Sequence, residues 1–315
     1  MSTAVHPSAP PDGASSPAKY GRGHRSRGEA RLAWYLVVPA MLLLAAVIGY
    51  PLFKAVYLSL FSDTIGEAPQ FIGLGNYRKA LTGDASVDFW SALEVTALFS
   101  VFSLALEVVI GTAMALVMHR AFRGRGLVRA SILVPWAIPT ALTSVLWRWM
   151  LQPDGIVNHL TGSSTLWTGT TWPARWAVII ADTWKTAPFL ALLVLAGLQL
   201  IPNELHEAAR VDGAGAWRRF RSVTLPLLTP ALMVAVLFRL LDVLRIYDLP
   251  QILTGGADGT TTLSMLVVRA SVEQTKFGYG SALSTLTFLI IFVVALLFVR
   301  FLGTSLLPAE EGKES

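Results

Sequence analysis

The chain alternates long apolar segments with short charged ones, and this alternation restricts its fold more than any single motif. Each apolar segment is long enough to cross the roughly 30 Å hydrocarbon core of a bilayer as a helix. Only 14% of the residues are charged, whereas a soluble domain carries about 25%. The sequence therefore predicts an all-α membrane protein with six transmembrane helices. They are predicted at about residues 32–53, 89–118, 128–150, 176–198, 223–244 and 282–301.

The distribution of Lys and Arg predicts which loops face the cytoplasm, because cytoplasmic loops near membrane helices carry an excess of these residues. Basic residues precede the first predicted helix, follow the second and follow the fourth, whereas residues 152–173 contain none. Both termini and the loop at about residues 199–222 are therefore predicted to be cytoplasmic. The predicted domains are a disordered cytoplasmic tail at 1–30, a transmembrane domain at 31–303 and a cytoplasmic tail at 304–315.

The loop between the fourth and fifth predicted helices is expected to contain a short helix of its own. Asn203 is a favourable N-cap, Glu204 adds negative charge to the first turn, and Gly213 suits a left-handed stop. Ala208 and Ala209 lie together on a narrow face of this helix. Its periodicity leaves two interpretations open: an amphipathic helix that rests on lipid headgroups, or a surface that enters a groove on another protein.

The same loop carries a spaced motif. Glu207-Ala208-Ala209 is followed after three residues by Gly213, and after nine more by Val223-Thr224-Leu225-Pro226. This motif resembles the EAA loop of permease subunits in binding-protein-dependent ABC importers for carbohydrates, in which Ile is usual at the position of Val223. Residues 71–77, Phe-Ile-Gly-Leu-Gly-Asn-Tyr, resemble a segment that follows the first helix of sugar permeases in this family. The resemblance extends over roughly residues 33–303.

The resemblance implies the type I ABC importer permease fold and a location in the bacterial cell membrane. It also implies that the loop is a coupling helix that docks on a cytoplasmic ATPase. The implied coupling residues are Glu207, Ala208, Ala209, Asp212 and Gly213. The implied partners are a second, homologous permease subunit, two ATPase subunits, an extracytoplasmic sugar-binding protein or lipoprotein, and the lipid bilayer. Overall likeness to actinobacterial disaccharide importers implies a substrate such as trehalose.

Several absent motifs argue against catalysis by this chain. Without a P-loop, it is expected to leave ATP and Mg²⁺ to the partner ATPase and to bind no cofactor itself. It has no Cys, its five His lack metal-ligand spacing, and it has no Gly-x-Ser-x-Gly motif. The chain is therefore predicted to be a transport subunit, not an enzyme, with no metal site and no nucleic-acid partner. The alternatives are the same architecture importing glycerol phosphate or a polyamine, or an intramembrane enzyme or channel.

Charged residues inside apolar segments point to a polar pathway, since they are unfavourable in a membrane unless they pair or face a cavity. They are Glu94, Glu107, Arg148, Asp182, Lys185, Arg239, Asp242, Arg245 and Asp248. Asp182 and Lys185 are spaced to pair along one helix, as Asp242 is with Arg239 or Arg245. Structural pairing and a sugar site both remain open for these residues.

Prolines predict breaks in two transmembrane helices, in the middle of the third near Pro135 and Pro139, and at the start of the fourth near Pro188. Such breaks free backbone carbonyls at membrane depth, where they can face a water-filled cavity. Trp136 and Phe189 beside them could offer flat faces to a sugar ring or simply pack between helices.

The predicted substrate-binding residues are Trp136, Thr140, Asp182, Lys185, Thr186, Phe189, Asp242 and Arg245. They resemble, by their place in the chain, the sugar-binding positions of the maltose importer in this family. Most of those positions hold neutral groups in that importer, whereas several are charged here. The resemblance therefore implies either a different sugar or a differently arranged cavity.

Overall fold

The computed structural model describes residues 27–62 and 68–303, with side chains described for 34–62 and 68–300. The first described helix already includes residues 27–30, which the sequence assigned to the tail. The rest of both predicted tails lies outside the described residues. The chain forms two compact units, Met1–Leu52 and Phe53–Ser315.

The described residues form fourteen α-helices and no β-strand beyond one isolated bridge between Phe61 and Phe71. The α-helices are α1 (Arg27–Leu44), α2 (Tyr50–Leu58), α3 (Gly75–Leu81), α4 (Ser86–His119), α5 (Arg125–Ala137), α6 (Thr140–Met150), α7 (Ile156–Thr161), α8 (Thr171–Gln199), α9 (Asn203–Val211), α10 (Ala216–Arg219), α11 (Leu225–Val243), α12 (Asp248–Leu253), α13 (Leu263–Val268) and α14 (Phe277–Gly303). Three π-helical turns also occur, at Ala45–Gly49, Phe220–Thr224 and Arg269–Glu273.

Five or six segments of the described residues could cross a membrane, compared with the six that the sequence predicts. Five are long and apolar enough to cross a membrane: Trp34–Leu58, Ser86–His119, Thr171–Gln199, Ala216–Val243 and Phe277–Arg300. Helices α5 and α6 supply a sixth if the bent pair counts as one span. The prediction of an all-α membrane protein is confirmed.

Helices α4, α8 and α11 form the centre of the second unit, with α8 packed along both of the others. Two glycines permit this close packing. A Cβ at Gly111 of α4 would lie 2.8 Å from Leu190 Cδ2 and 3.0 Å from the Ala187 carbonyl oxygen, both on α8. A Cβ at Gly197 of α8 would overlap Ala231 on α11. Helix α8 is therefore fixed between two neighbours, which makes it a rigid support for the polar residues it carries.

The third predicted span is broken where its second proline stands. Helix α5 ends at Ala137, α6 begins at Thr140, and the two are bent by 94°. Between them Ile138 is extended, with φ −75° and ψ 131°. The residue before a proline is sterically disfavoured in a helix, and Pro139 follows Ile138. The predicted break is confirmed at Pro139, whereas Pro135 lies inside α5.

The predicted break near Pro188 is wrong, because α8 continues through it from Thr171 to Gln199. A proline inside a helix removes one backbone hydrogen bond and usually kinks the chain. Here the neighbouring Ala187, Leu190 and Ala191 are fully buried, and all three lie against Gly111 of α4. Tertiary packing on both sides of the proline thus keeps the helix intact.

The predicted loop helix is α9, with one difference at its start. Asn203 is its first residue rather than its N-cap and caps no backbone group, because Pro202 takes the cap position with an extended backbone. The Pro202 carbonyl accepts a hydrogen bond from the Leu205 N–H at 3.3 Å. The predicted stop is confirmed: Gly213 has φ +74°, and the Ala214 N–H donates to the Ala209 carbonyl at 2.9 Å.

Candidate functional site

One arginine in the centre of the second unit contacts three carboxylates that come from three helices. Arg239 of α11 donates to Glu107 of α4 through Nε (2.6 Å, to Oε2) and Nη2 (2.9 Å, to Oε1). Its Nη2 also donates to Oδ2 of Asp182 on α8, and its Nη1 donates to Oδ2 of Asp242 on α11, each at 2.5 Å. We call these four residues the Arg239 cluster. The two-pronged bond to Glu107 is the geometry that a planar guanidinium favours.

The members of the Arg239 cluster differ in burial. The side chains of Arg239, Glu107 and Asp182 are 3%, 0% and 7% exposed, whereas that of Asp242 is 67% exposed. Unpaired charges at such depth are strongly unfavourable, so the contacts among the three buried groups hold α4, α8 and α11 together. Asp242 is the member that a solute could reach.

Thr186 extends the cluster along α8. Its hydroxyl lies 2.6 Å from Glu107 Oε1 and 2.6 Å from the Asp182 carbonyl oxygen, one turn earlier on the same helix. The single hydroxyl proton can donate to either acceptor. Thr186 therefore contributes to the packing of α8 on α4 through a polar contact.

The pairing that the spacing allowed between Asp182 and Lys185 does not form among the described residues. Lys185 Nζ instead donates to the Ile138 carbonyl at 2.8 Å. That carbonyl lies in the break between α5 and α6, where it has left the helical pattern. The predicted freeing of carbonyls by the break thus has a specific outcome: one of them accepts a hydrogen bond from a cation on α8.

The two aromatic residues predicted to flank a sugar lie against each other. The rings of Trp136 and Phe189 stack with centroids 5.7 Å apart and planes at 21°. Trp136 remains 47% exposed. Thr140, the first residue of α6, follows on the other side of the break and is half-buried. Trp136, Thr140, Lys185 and Phe189 therefore surround the break between α5 and α6, and we call them the bend group.

Arg245 lies apart from the other predicted binding residues. It is exposed and donates through Nε to the Leu241 carbonyl at 3.1 Å, so the possible pair with Asp242 does not form among the described residues. It lines a separate cavity of about 450 Å³ between α11, α13 and α14, together with residues such as Tyr247 and Ser284. Seven of the eight predicted residues thus fall into the Arg239 cluster with Thr186 or into the bend group.

The predicted substrate-binding site does not include two residues of the cluster, Glu107 and Arg239. Both are charges within apolar segments, and this signal could place them in the site. The sequence does not indicate that Glu107 and Arg239 pair with each other, because they are 132 residues apart.

The five predicted coupling residues lie together at one end of α9. Glu207, Ala208 and Asp212 are exposed, Ala209 is half-buried, and Gly213 forms the left-handed stop. The adjoining Val211 is an apolar side chain that is 89% exposed. This end of the loop is therefore an open surface with apolar and acidic components.

Three comparisons with known proteins bear on this arrangement. The sequence profile of the family described as "Binding-protein-dependent transport system inner membrane component" matches residues 107–308. The trehalose transport system permease protein SugA of Mycobacterium tuberculosis is 40% identical over 291 residues, which are 91% of this chain and 94% of the relative. The trehalose/maltose transport system permease protein MalF of Thermococcus litoralis is 39% identical over 281 residues, which are 86% of this chain and 94% of the relative.

A solved structure shows the same fold. The crystal structure of a bacterial ABC transporter involved in the import of the acidic polysaccharide alginate contains a chain that superposes with a TM-score of 0.76. The match covers 89% of this chain and 98% of that chain at 19% identity. The fold is thus that of an ABC importer permease, as the EAA-type motif implied. Together with the family profile and the two relatives, it shows that the chain is a transport subunit rather than an enzyme, and that it belongs to the family of binding-protein-dependent transport system inner membrane components.

Proposed function

We propose that the chain is one permease subunit of an importer for a sugar, with a disaccharide such as trehalose as the leading substrate. The observation that carries this proposal is the 40% identity to a trehalose permease, which extends over 94% of that relative. A second relative named for trehalose and maltose is 39% identical over a similar length. The similarity to these relatives extends over nearly the whole chain and therefore over the helices that carry the Arg239 cluster and the bend group.

The bend group is proposed to contact the sugar. The exposed part of Trp136 offers a flat apolar face, on which the C–H face of a sugar ring can stack. Lys185 donates to Ile138 and keeps further N–H donors for hydroxyls. A disaccharide is neutral, so it gains little from a bare charge, and the paired state of the Arg239 cluster is compatible with such a substrate.

The exposed end of α9 is proposed to dock on a cytoplasmic ATPase. The short side chains of Ala208 and Ala209 would enter a groove, while Glu207 would meet a basic residue of the ATPase. The helix from Ala216 to Val243 then connects this loop directly to Arg239. A displacement of the loop by the closing ATPase would therefore act on the Arg239 cluster along a single helix.

The remaining partners of the proposed importer follow from its mode of action. A second, homologous permease subunit would complete the solute pathway, and two ATPase subunits would bind ATP and Mg²⁺. An extracytoplasmic sugar-binding protein would deliver the substrate. This chain would bind no cofactor and would change no covalent bond of the solute.

The proposal is tested with the complete complex reconstituted in lipid nanodiscs. ATP hydrolysis is measured with the binding protein loaded in turn with trehalose, maltose, glycerol phosphate or a polyamine. We expect stimulation by the sugar-loaded protein and little by the other two solutes. Stimulation by glycerol phosphate or by the polyamine alone would overturn the sugar assignment.

A further inference from the structure

A second cavity of the molecule has no part in the proposed sugar path. It has a volume of about 490 Å³, within the range of about 300–1,000 Å³ that is usual for ligand pockets. It lies where the end of α4 meets α9 and α10, on the side of the protein predicted to be cytoplasmic. Its basic lining consists of His119, Arg120, His206, Arg210 and Arg219. None of the described residues that line it is acidic.

The arginines of this cavity are largely available to a ligand. Arg120 and Arg210 are exposed and form no side-chain ion pair among the described residues. Arg219 uses Nη1 to donate to the Ala214 carbonyl at 2.8 Å, which leaves its other N–H groups. Near the end of α4, the Met118 carbonyl accepts hydrogen bonds from Nε and Nη2 of Arg129, which does not line the cavity. Arg120, Arg210 and Arg219 therefore carry positive charge that nothing within the cavity neutralises.

Two aromatic residues place the cavity at the membrane surface. Trp217 and Phe220 both line it, and their rings stack with centroids 5.6 Å apart. Trp217 is 72% exposed, although it stands at the start of a helix that is otherwise apolar enough to cross the membrane. Exposed Trp residues at helix ends are typical of the headgroup level of a bilayer. Basic pockets between transmembrane helices on the cytoplasmic side are suited to anionic headgroups.

The cavity shares α9 with the proposed docking surface and faces away from Ala208, whereas Glu207 lies next to the cavity side of the helix. Asn203, His206 and Arg210 line the cavity at spacings of three and four residues, so they lie on one side of the helix. Ala208 lies on the opposite side at 3.6 residues per turn. A molecule bound in the cavity would therefore contact both α9 and the end of α4 and would leave the face of α9 that carries Ala208 free.

We propose that this cavity binds a phosphate-bearing anion, and that the bound anion fixes the position of α9. Guanidinium groups bind phosphate oxygens in pairs of parallel hydrogen bonds, and three of them converge on a space without a competing carboxylate. Two sources share this chemistry: the headgroup of an anionic phospholipid in the adjacent leaflet, and soluble phosphate. Anion binding is independent of the sugar assignment, whereas the relevance of a fixed α9 to an ATPase rests on the proposed function.

The test compares two double variants of equal charge. Arg120→Gln with Arg210→Gln removes two arginines of the cavity, and Arg123→Gln with Arg218→Gln removes two exposed arginines nearby that do not line it. The purified chain in neutral detergent is titrated with short-chain phosphatidylglycerol, short-chain phosphatidylcholine or inorganic phosphate. Binding is followed by native mass spectrometry and by calorimetry at constant ionic strength.

The wild type is expected to bind phosphatidylglycerol, and the cavity variant to bind it about tenfold more weakly than the control variant does, because only the former loses paired hydrogen bonds. Competition by millimolar inorganic phosphate would identify soluble phosphate as a sufficient ligand, and a lack of competition would identify the lipid. Equal binding by the two variants, or equal binding of phosphatidylcholine, would overturn the proposal, because general attraction to a charged surface would then explain the data. A complex that binds the anion but fails to transport sugar would contradict only the proposed function.

Discussion

Replacing Arg239 by Met should destabilise the protein more than any other single arginine substitution in the second unit. Met keeps an unbranched stem of similar length but removes the guanidinium. Glu107 and Asp182 would then stay buried, with side chains 0% and 7% exposed, and without their cation. Breaking a buried ion pair by removing one partner costs about 3–5 kcal/mol. We expect a loss in that range, since two buried carboxylates depend on this one arginine.

The assay is reversible unfolding of the purified chain in mixed micelles, with Arg245→Met as the matched control. Arg245 lies in the turn that follows the end of α11; its side chain is exposed and donates only to the Leu241 carbonyl among the described residues. Its substitution should change the free energy of unfolding by no more than about 0.5 kcal/mol. A further variant combines Arg239→Met with Glu107→Gln and Asp182→Asn, so that no buried charge remains. This variant should recover at least half of the loss, because a neutral replacement of a whole buried ion cluster is often tolerated.

An Arg239→Met variant that is no less stable than Arg245→Met would contradict this prediction. A triple variant less stable than Arg239→Met alone would also contradict it, since the loss would then come from packing and not from stranded charge. Either result would mean that the cluster does not hold α4, α8 and α11 together.

Four further predictions concern the packing, the loop and the bend. Gly197→Val should destabilise the chain by about 1–3 kcal/mol in the same unfolding assay, because its side chain would overlap Ala231 on α11. Glu207→Lys should abolish co-purification with the ATPase while the chain still inserts into the membrane, whereas Glu207→Gln should weaken it only in part. Gly213→Val should strain the left-handed stop by about 1 kcal/mol or more and lower sugar-stimulated ATP hydrolysis. A Cβ at this position meets no other group within 4 Å, so any effect would come from backbone strain and not from a clash. Unchanged hydrolysis would show that the left-handed stop is not needed for coupling. Trp136→Ala should reduce sugar uptake without loss of assembly, and Trp149→Ala, a change of an exposed Trp on α6, should not.

The transmembrane helices could be predicted from the sequence because the bilayer imposes both a length and a composition. The break at Pro139 could be predicted for a similarly local reason, since a proline excludes the helical conformation of the residue before it. The left-handed stop at Gly213 follows from the steric freedom of glycine at positive φ. In each case the information lies within a few residues of the feature.

The continuity of α8 through Pro188 could not be predicted in this way. Pro188 and Pro139 have similar local signals, but only the former has fully buried neighbours packed against α4. The contacts of Lys185 show the same limit. Its spacing from Asp182 suited a pair along one helix, yet Lys185 contacts the Ile138 carbonyl in the break between α5 and α6, and Asp182 contacts Arg239 of α11.

The contacts of the Arg239 cluster are the hardest to predict, because they join residues that are far apart in the sequence. Helical periodicity determines which residues share a face of one helix, but it does not determine which faces of three helices meet. The sequence therefore indicated Arg239 as a possible partner of Asp242, a pair that the structure shows, but it did not indicate that Arg239 also contacts Glu107 and Asp182. Arg245, which the sequence placed with the binding residues, instead lines the cavity between α11, α13 and α14.

Uptake of labelled trehalose into proteoliposomes tests the central claim most directly. The complete complex is reconstituted with ATP inside the vesicles and the binding protein outside, so that only complexes with their ATPases inside contribute to uptake. We expect uptake that requires ATP and the binding protein, is suppressed by unlabelled trehalose and not by glycerol phosphate, and falls in Trp136→Ala but not in Trp149→Ala. An assembled complex that hydrolyses ATP and transports another class of solute, but takes up no trehalose, would contradict the proposed function.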